Sequence, residues 1–187
     1  MRLRTTLTTA IVTAGLLTGP VSTAVTAENF SELEVQAVLL YNVTKFVTWP
    51  GSAFAASDEP LNLCSLGDDP FTKSLRILNG KPVKTHPITL RPLQARPVAT
   101  DRCHILVVSR SARTKLGDVL DALRNQPVLT IGNFENFAHR GGTLSLVKNG
   151  KRVSMVINPQ AATNAGLIVN SQLLELATIV NGPENEG

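Results

Sequence analysis

The sequence has few aromatic residues and only two cysteines. Phe, Tyr and Trp make up 4% of the 187 residues, with one Trp and one Tyr. Beyond the first 27 residues, no apolar run reaches the roughly 18 residues that a membrane-spanning helix needs. A Cys-x-x-Cys motif, which lowers thiol pKa values in redox enzymes, is also missing. These features argue against a membrane-spanning protein and against a thiol-redox enzyme.

Dense basic clusters are missing as well. The chain has 18 Lys and Arg residues against 14 Asp and Glu residues, and Arg2 and Arg4 lie at its extreme N-terminus. Without those two arginines the formal net charge falls from +4 to +2. We therefore expect no nucleic-acid partner.

The N-terminal 27 residues have the pattern of a secretory signal peptide. Arg2 and Arg4 precede a short apolar run, and small residues at the end of the segment favour cleavage after Ala27. No cysteine lies near this cut, so we expect no lipid anchor. The sequence thus predicts an exported protein with 160 residues after cleavage, which is enough for one domain with its own core.

An apolar helix is predicted directly after the signal. Ser31 and Glu34 form a capping-box pattern at its start, and Pro50 prevents its continuation beyond about Val47. Helical spacing gives two apolar faces, of which one can enter the domain's core. The other face needs a second layer, a twin subunit or a partner to cover it. The first face is Leu33, Ala37, Leu40, Tyr41, Thr44 and Val47; the second is Val35, Leu39, Val43 and Phe46.

The remaining pattern predicts alternating strands and helices. Asn149-Gly150 between two alternating runs is a strong hairpin signal, and Asp69 followed by Pro70 is typical of a helix start. We expect one α/β domain over residues 28–181, with a mixed, mostly parallel sheet and helices on both faces, and a disordered tail over residues 182–187. The predicted strands are 61–66, an edge strand at 88–90, 103–108, 128–131, 143–148 and 152–157; the later helices are 71–78, 113–123, 134–139, 159–165 and one from Ser171 to about Val180.

The two cysteines leave two interpretations open. In an oxidising compartment an even count favours one disulfide, which would close a loop of about 40 residues and stabilise the fold by roughly 4 kcal/mol. The alternative is a pair of free thiols with a redox function, and a structural bridge that also responds to redox conditions is compatible with the sequence.

Three segments together resemble the YfiR family of periplasmic proteins, in order and over nearly all of the chain after the signal. The first contains Leu40-Tyr41-Asn42, Lys45-Phe46 and Trp49-Pro50. The second runs from Leu63-Cys64 to Phe71 and is followed by Cys103-His104. The third contains Ile157-Asn158, Ala161-Ala162, Ala165-Gly166-Leu167, Ser171, Leu173-Leu174 and Leu176-Ala177.

The resemblance implies a regulator without known catalytic residues. The best understood type of this family represses an inner-membrane diguanylate cyclase by binding its periplasmic part, which lowers cyclic-di-GMP and restrains biofilm formation. An outer-membrane lipoprotein can sequester it. The resemblance also implies a homodimer and a disulfide between Cys64 and Cys103. A second cysteine pair that some relatives carry is absent from this chain, so redox sensing through that pair is not expected.

Most candidate chemical residues have a simpler structural interpretation. Asp69 is expected to cap a helix, with Asp68 complementing the helix dipole. His86, His104 and His139 lack metal-ligand spacing, and His104 is expected to be a hydrogen-bonded core or edge residue. Ser109 and Ser111 lack the setting of a hydrolase nucleophile and are interpreted as caps. We therefore expect no enzyme activity, metal or cofactor.

Six residues are candidates for contact with a partner, because aromatic residues and Arg dominate interface energetics. For the aromatic ones the alternative is burial in the protein's own core. A second hypothesis is a small-ligand or sensor protein that serves another receptor or a histidine kinase, with a pocket near Asp68, Ser109 and Phe134. The six interaction candidates are Tyr41, Phe46, Trp49, Phe134, Phe137 and Arg140.

Overall fold

The computed structural model describes residues 31–93, 102–150 and 152–182. The predicted signal peptide and residues 183–187 of the predicted tail lie outside the described residues, so the domain boundaries remain predictions. Within the described ranges the chain alternates between short helices and strands. The helices are α1 (Glu32–Lys45), α2 (Pro70–Ser74), α3 (Leu116–Ala122), α4 (Pro159–Asn164) and α5 (Ser171–Glu175); the strands are β1 (Val47–Thr48), β2 (Leu61–Leu66), β3 (Pro82–Val83), β4 (His86–Leu93), β5 (Ile105–Val108), β6 (Leu129–Gly132), β7 (Leu144–Asn149), β8 (Arg152–Ile157), β9 (Ile168–Val169) and β10 (Thr178–Ile179).

Helix α1 begins as its sequence predicts. The Ser31 hydroxyl accepts a hydrogen bond from the Glu34 amide at 3.3 Å, and the Ser31 amide donates to the Glu34 carboxylate at 2.8 Å. These bonds satisfy two backbone N–H groups that a helix start otherwise leaves unpaired. They also lower the pKa of Glu34, because both the amide and the hydroxyl of Ser31 stabilise the carboxylate.

The strands form one mixed sheet in the order β10-β8-β7-β6-β5-β2-β4-β3. The pairs from β7 through β6, β5 and β2 to β4 are parallel, as is β10 with β8. The hairpin pairs β7-β8 and β3-β4 are antiparallel. A separate two-stranded sheet pairs β1 with β9. This confirms the predicted fold class of a mixed, mostly parallel sheet.

Each face of the large sheet has its own apolar core. Alternate strand residues point to opposite faces, so Leu63 and Ile105 belong to one core while Cys64 and Leu106 belong to the other. Helices α1, α2, α4 and α5 cover the first face, and α3 covers the second. The predicted three-layer arrangement, with helices on both faces, is therefore confirmed.

A disulfide links Cys64 in β2 to Cys103, two residues before the neighbouring strand β5. The two Cα atoms are 5.7 Å apart and both half-cystines are buried in the second core. Of the two interpretations that the sequence left open, the structure shows the bridge.

Three predicted elements differ most from the observed ones. Residues 134–139 form turns instead of a helix, because Asn136 adopts a left-handed conformation (φ 61°) that interrupts helical hydrogen bonding. The last predicted helix ends at Glu175, and the β-branched pair Thr178-Ile179 extends the sheet beside β8. The predicted edge strand is longer than expected, since β4 spans His86–Leu93. Its outer neighbour β3 pairs only with the first two residues of β4.

Candidate interaction surface

Tyr41 fastens α1 to the far edge of the sheet. Its hydroxyl donates a hydrogen bond to the backbone oxygen of Pro82 in β3 at 2.8 Å, and the Lys45 ammonium lies 4.0 Å from the centre of its ring. The side chain is half-buried and packs against the first core. A ring that is part anchored and part accessible suits a contact surface.

Phe46 and Trp49 continue this half-buried aromatic line beyond the end of α1. The Phe46 backbone oxygen accepts a hydrogen bond from the Asn170 amide at 2.9 Å, next to the β1-β9 pair. The Trp49 indole donates to the backbone oxygen of His104 at 3.1 Å. Both rings pack against the first core without being fully buried.

The outer face of α1 carries apolar side chains that the domain leaves accessible. Val35 is 46% exposed and Val38 is 39% exposed, while Leu39 is half-buried. The predicted first face, by contrast, is buried at Ala37, Leu40, Thr44 and Val47. The second predicted face is only partly covered, since Val43 is buried whereas Val35 is exposed. We call Val35, Val38, Leu39 and Phe46 the outer α1 face.

Phe134 and Phe137 lie in the second core. They are 3% and 0% exposed, and their rings meet edge to face with centroids 5.4 Å apart. The Phe137 ring fits between two glycines, because a Cβ atom on Gly132 or Gly142 would lie 2.3 or 2.1 Å from it. The structure thus places both rings in the core, as the alternative interpretation expected, and their proposed role in partner contact stays a prediction.

Arg140 is exposed and borders an open cavity of about 1000 Å³ on the side of the sheet where β6 and β7 begin. Arg124, from the end of α3, borders the same cavity but is paired with Asp121 at 2.9 Å. Of the predicted trio of Phe134, Phe137 and Arg140, only Arg140 reaches the surface.

An aromatic stack that the sequence did not predict lies next to Trp49. The Phe54 ring is sandwiched between two imidazoles, 4.1 Å from the centroid of His86 and 4.5 Å from that of His104, with interplanar angles of 7° and 17°. Since Phe54, His86 and His104 come from separate loops and strand ends, no local spacing pattern in the sequence could have shown that they meet.

His104 is a fully hydrogen-bonded core histidine, as predicted. Its Nδ1 accepts a hydrogen bond from the Asn62 amide at 2.9 Å, and its Nε2 lies 2.9 Å from the Ala53 backbone oxygen. Burial lowers the pKa of His104, and His86 acts in the same direction. The Ala53 oxygen and Glu59 act in the opposite direction without cancelling the effect of burial. The neutral imidazole is therefore the favoured form.

A second cavity of about 580 Å³ opens beside this stack. Its volume falls in the range of small-molecule sites. Lys84 is the cation at its wall, and its ammonium donates to the Thr48 hydroxyl at 3.1 Å. The cavity lies where β2 and β4 begin, at the opposite edge from the usual ligand site of open α/β sheets. The cavity is also lined by Trp49, Phe54, Val83 and His86.

The pocket predicted near Asp68, Ser109 and Phe134 is not one of these cavities. Asp68 is exposed and lies 3.3 Å from the Lys73 ammonium. Ser109 is buried, with its hydroxyl 2.8 Å from that of Ser111, and a Cβ atom on Gly67 would lie 2.1 Å from the Ser109 oxygen. Gly67 and Ser109 are therefore in close contact at this strand end. Asp69 caps α2 by accepting from the Thr72 amide at 3.1 Å, as predicted.

Within residues 31–93, 102–150 and 152–182, no three His, Cys, Asp or Glu side chains are grouped as metal ligands. None of the described helices has the length and apolar character needed to cross a bilayer.

The fold and these surfaces define a disulfide-linked three-layer α/β domain with a half-covered apolar helix and an adjoining aromatic cavity. The chain belongs to the YfiR/HmsC-like family, whose sequence profile matches residues 33–178. The match begins in α1, ends in β10 and includes both cysteines, which confirms the resemblance inferred from the sequence motifs. No curated protein matches the chain.

Proposed function

We propose that this protein is a periplasmic regulator that binds the periplasmic part of an inner-membrane diguanylate cyclase and represses it. Cyclic-di-GMP production, and with it biofilm formation, would rise when the complex dissociates. The observation that carries the proposal is family membership over residues 33–178. The secretory pattern of residues 1–27 supports a periplasmic location, with cleavage after about Ala27.

The mechanism follows from binding thermodynamics. A bound protein shifts its partner between two states only by as much as its affinities for those states differ. The regulator must therefore bind the inactive arrangement of the cyclase's periplasmic domain more tightly than the active one. This requires a contact surface and no catalytic group, cofactor or metal.

The contact surface that we propose combines the outer α1 face with its aromatic extension. Val35 and Val38 are the most exposed apolar residues of α1, and Tyr41, Phe46 and Trp49 are half-buried beside them. Apolar and aromatic residues that the monomer leaves accessible are enriched at the centres of interfaces. Arg140 is a separate candidate on the surface near β6 and β7.

Family resemblance adds two further proposals. The protein would form a homodimer, and an outer-membrane lipoprotein would sequester it and so relieve repression. The described surface offers several exposed apolar side chains away from α1 for such contacts. They are Ile168 (68% exposed), Leu176 (71%) and Ile179 (47%).

The proposal is tested by measuring binding to the periplasmic domains of the inner-membrane diguanylate cyclases of the same organism. We expect the mature chain to bind, and Val35→Glu/Val38→Glu to bind at least roughly tenfold more weakly, which corresponds to about 1.4 kcal/mol. Thr114→Glu adds a charge at an exposed position on the opposite side of the sheet and is the matched control. The absence of binding by the wild-type chain would contradict the proposed partner. Equal losses in the variant and the control would contradict the proposed surface.

A second candidate function is that of a small-ligand sensor feeding another receptor or a histidine kinase. The 580 Å³ cavity with Trp49, Phe54, His86 and Lys84 in its walls favours it. A ligand at about 100 times its dissociation constant adds roughly 2.7 kcal/mol of stability, so thermal-shift screening of periplasmic metabolites would detect it. A panel in which no compound shifts the unfolding temperature would count against this candidate.

A further inference from the structure

Residues 50–60 form a strap that crosses the start of β2 and β4 with little regular structure. Its only helical part in the described chain is a 3-10 turn, Gly51–Ala53. Most of its residues are exposed, and its internal main-chain bonds are local ones such as Ala53 N–H to the Pro50 oxygen at 2.9 Å. Segments of this kind open at low free-energy cost unless side chains hold them.

Two histidines from outside the strap hold it at both ends. His104 Nε2 lies 2.9 Å from the backbone oxygen of Ala53, and His86 Nδ1 lies 2.7 Å from the backbone oxygen of Glu59. Between these points the Phe54 ring is stacked on both imidazoles. The strap is thus fastened to β4 and to the start of β5 by imidazole contacts.

The bond between His104 and the Asn62 backbone N–H requires the neutral imidazole, whereas the Nε2–H group that donates to Ala53 is present in both protonation states. A backbone carbonyl only accepts, so Nε2 carries the proton that is donated to Ala53. The Asn62 backbone N–H can only donate, so Nδ1 must be unprotonated to accept from it. A second proton would place two donors face to face at 2.9 Å within a site where His104 is only 4% exposed.

His86 behaves differently. Its Nδ1 donates to the Glu59 oxygen, so a second proton would enter at Nε2 and leave that bond intact. The charged groups around the pair are Glu59 on the strap, whose charge favours protonation of His104, and His86 itself, whose charge opposes it. Lys84 lines the same cavity as His86.

We propose that the strap is an acid-sensitive latch, held closed by neutral His104 and released when His104 is protonated. Protonation would turn the Asn62 bond into a contact between two donors, and the buried imidazolium could reach water only if the strap lifts, which breaks the Ala53 bond and the Phe54 stack. Release would widen the cavity and uncover Trp49, which is the only tryptophan of the chain. The latch is a property of the isolated chain and does not rest on the proposed cyclase partner.

Amide hydrogen exchange of the purified chain tests the latch. Between about pH 7.5 and about pH 5, after correction for intrinsic rates, we expect protection of the strap amides and Asn62 to fall roughly tenfold or more. Amides of Leu106 and Ile131 in the central strands report global unfolding and should remain much more strongly protected than the strap at both pH values. Trp49 emission should shift to longer wavelength over the same pH range. Strap protection that is equal at both pH values would overturn the proposal.

A variant and a matched control assign the effect to His104. His104→Asn keeps an acceptor near the Nδ1 position but cannot be protonated, so its strap should exchange equally at both pH values. His139→Asn alters an exposed histidine and should behave as the wild type. Acid loosening in His104→Asn that equals the wild-type effect would overturn the proposal.

A titration of the wild-type chain decides the matter if His104→Asn does not fold. The imidazole nitrogen resonances of His104, the Asn62 amide and the strap amides should change with one common midpoint. A strap midpoint that differs from the His104 midpoint would overturn the proposal.

Discussion

Trp49 and His104 are joined by a hydrogen bond from the indole Nε1 to the His104 backbone oxygen, with 3.1 Å between the two atoms. Trp49 follows β1, and His104 directly precedes β5, so this bond ties the end of the leading helical segment to the centre of the sheet. The same oxygen also accepts from the Leu129 amide at 2.9 Å. The strap, the cavity and the proposed contact surface therefore meet at one point.

Trp49→Phe should destabilise the fold modestly. The phenyl ring keeps much of the apolar contact but cannot donate to the His104 oxygen, which still has Leu129 as a donor. We expect a loss of about 1 kcal/mol in the free energy of unfolding. Urea unfolding must be followed by circular dichroism, because the variant lacks the only tryptophan. A loss above about 3 kcal/mol would show that ring packing outweighs the hydrogen bond.

Gly142→Ala should destabilise the fold by about 1 to 3 kcal/mol through overpacking. The added methyl group would lie 2.1 Å from the Phe137 ring, which is fully buried and has no space to withdraw. Gly117→Ala in α3 is the matched control, since its methyl group would meet nothing within 4 Å. The control should be neutral or slightly stabilising, because Ala favours helix over Gly. Equal unfolding midpoints for the two variants would contradict the packing argument.

Removal of the disulfide should cost roughly 4 kcal/mol in the loop-entropy model, since the bridge spans a sequence separation of 39 residues. Cys64→Ala/Cys103→Ala is the variant to test by chemical denaturation. Reductant should lower the stability of the wild-type chain and leave this variant unchanged. A wild-type chain that is equally stable with and without reductant would be at odds with the bridge's structural role.

Global stability should fall with acid on account of His104. Burial lowers the pKa of folded His104 below its ordinary value of about 6.5, so the unfolded chain takes up the proton first as the pH falls. The stabilising contribution is therefore complete above about pH 6.5 and is lost as the pH drops towards the lowered pKa. As the pH is lowered through this window, the urea midpoint of His104→Asn should fall less steeply than the urea midpoint of His139→Asn. Parallel slopes in the two variants would contradict this account.

The sequence predicted the sheet well where local signals were strong. Asn149-Gly150 defined the β7-β8 hairpin, Leu61 to Leu66 matched β2 from end to end, and Ser31 with Glu34 located the start of α1. In each case a turn, a cap or a continuous apolar run depends on neighbouring residues alone. Such features can be predicted because they form without help from residues that are distant in sequence.

Elements that depend on distant contacts were harder to predict. Phe134 to His139 has an apolar helical spacing, but Phe137 is drawn into a space that only Gly132 and Gly142 make available. Thr178-Ile179 forms a strand because the edge of β8 offers it a partner. β8 ends at Ile157, 21 residues before Thr178, and Gly132 and Gly142 lie five residues to either side of Phe137, outside the three- and four-residue spacing that predicts a helix.

The sequence predicted only part of the candidate site, because the rest depends on contacts between distant segments. The exposed and half-buried residues of α1 followed from helical periodicity, which left one face without cover. The stack of His86, Phe54 and His104 required the strap, β4 and β5 to meet in three dimensions. The ligand pocket predicted at Asp68 and Ser109 followed a general rule for open sheets, whereas the two cavities described above lie at the opposite ends of the strands.

The measurement that tests the central claim most directly is the cellular cyclic-di-GMP level in a strain that lacks this gene. The account predicts that deletion raises the level and that the wild-type gene and Thr114→Glu restore it. Val35→Glu/Val38→Glu should fold, reach the periplasm and fail to restore it, because the added charges disrupt the outer α1 face. A cyclic-di-GMP level that deletion leaves unchanged would contradict the claim that the protein restrains a cyclase by contact.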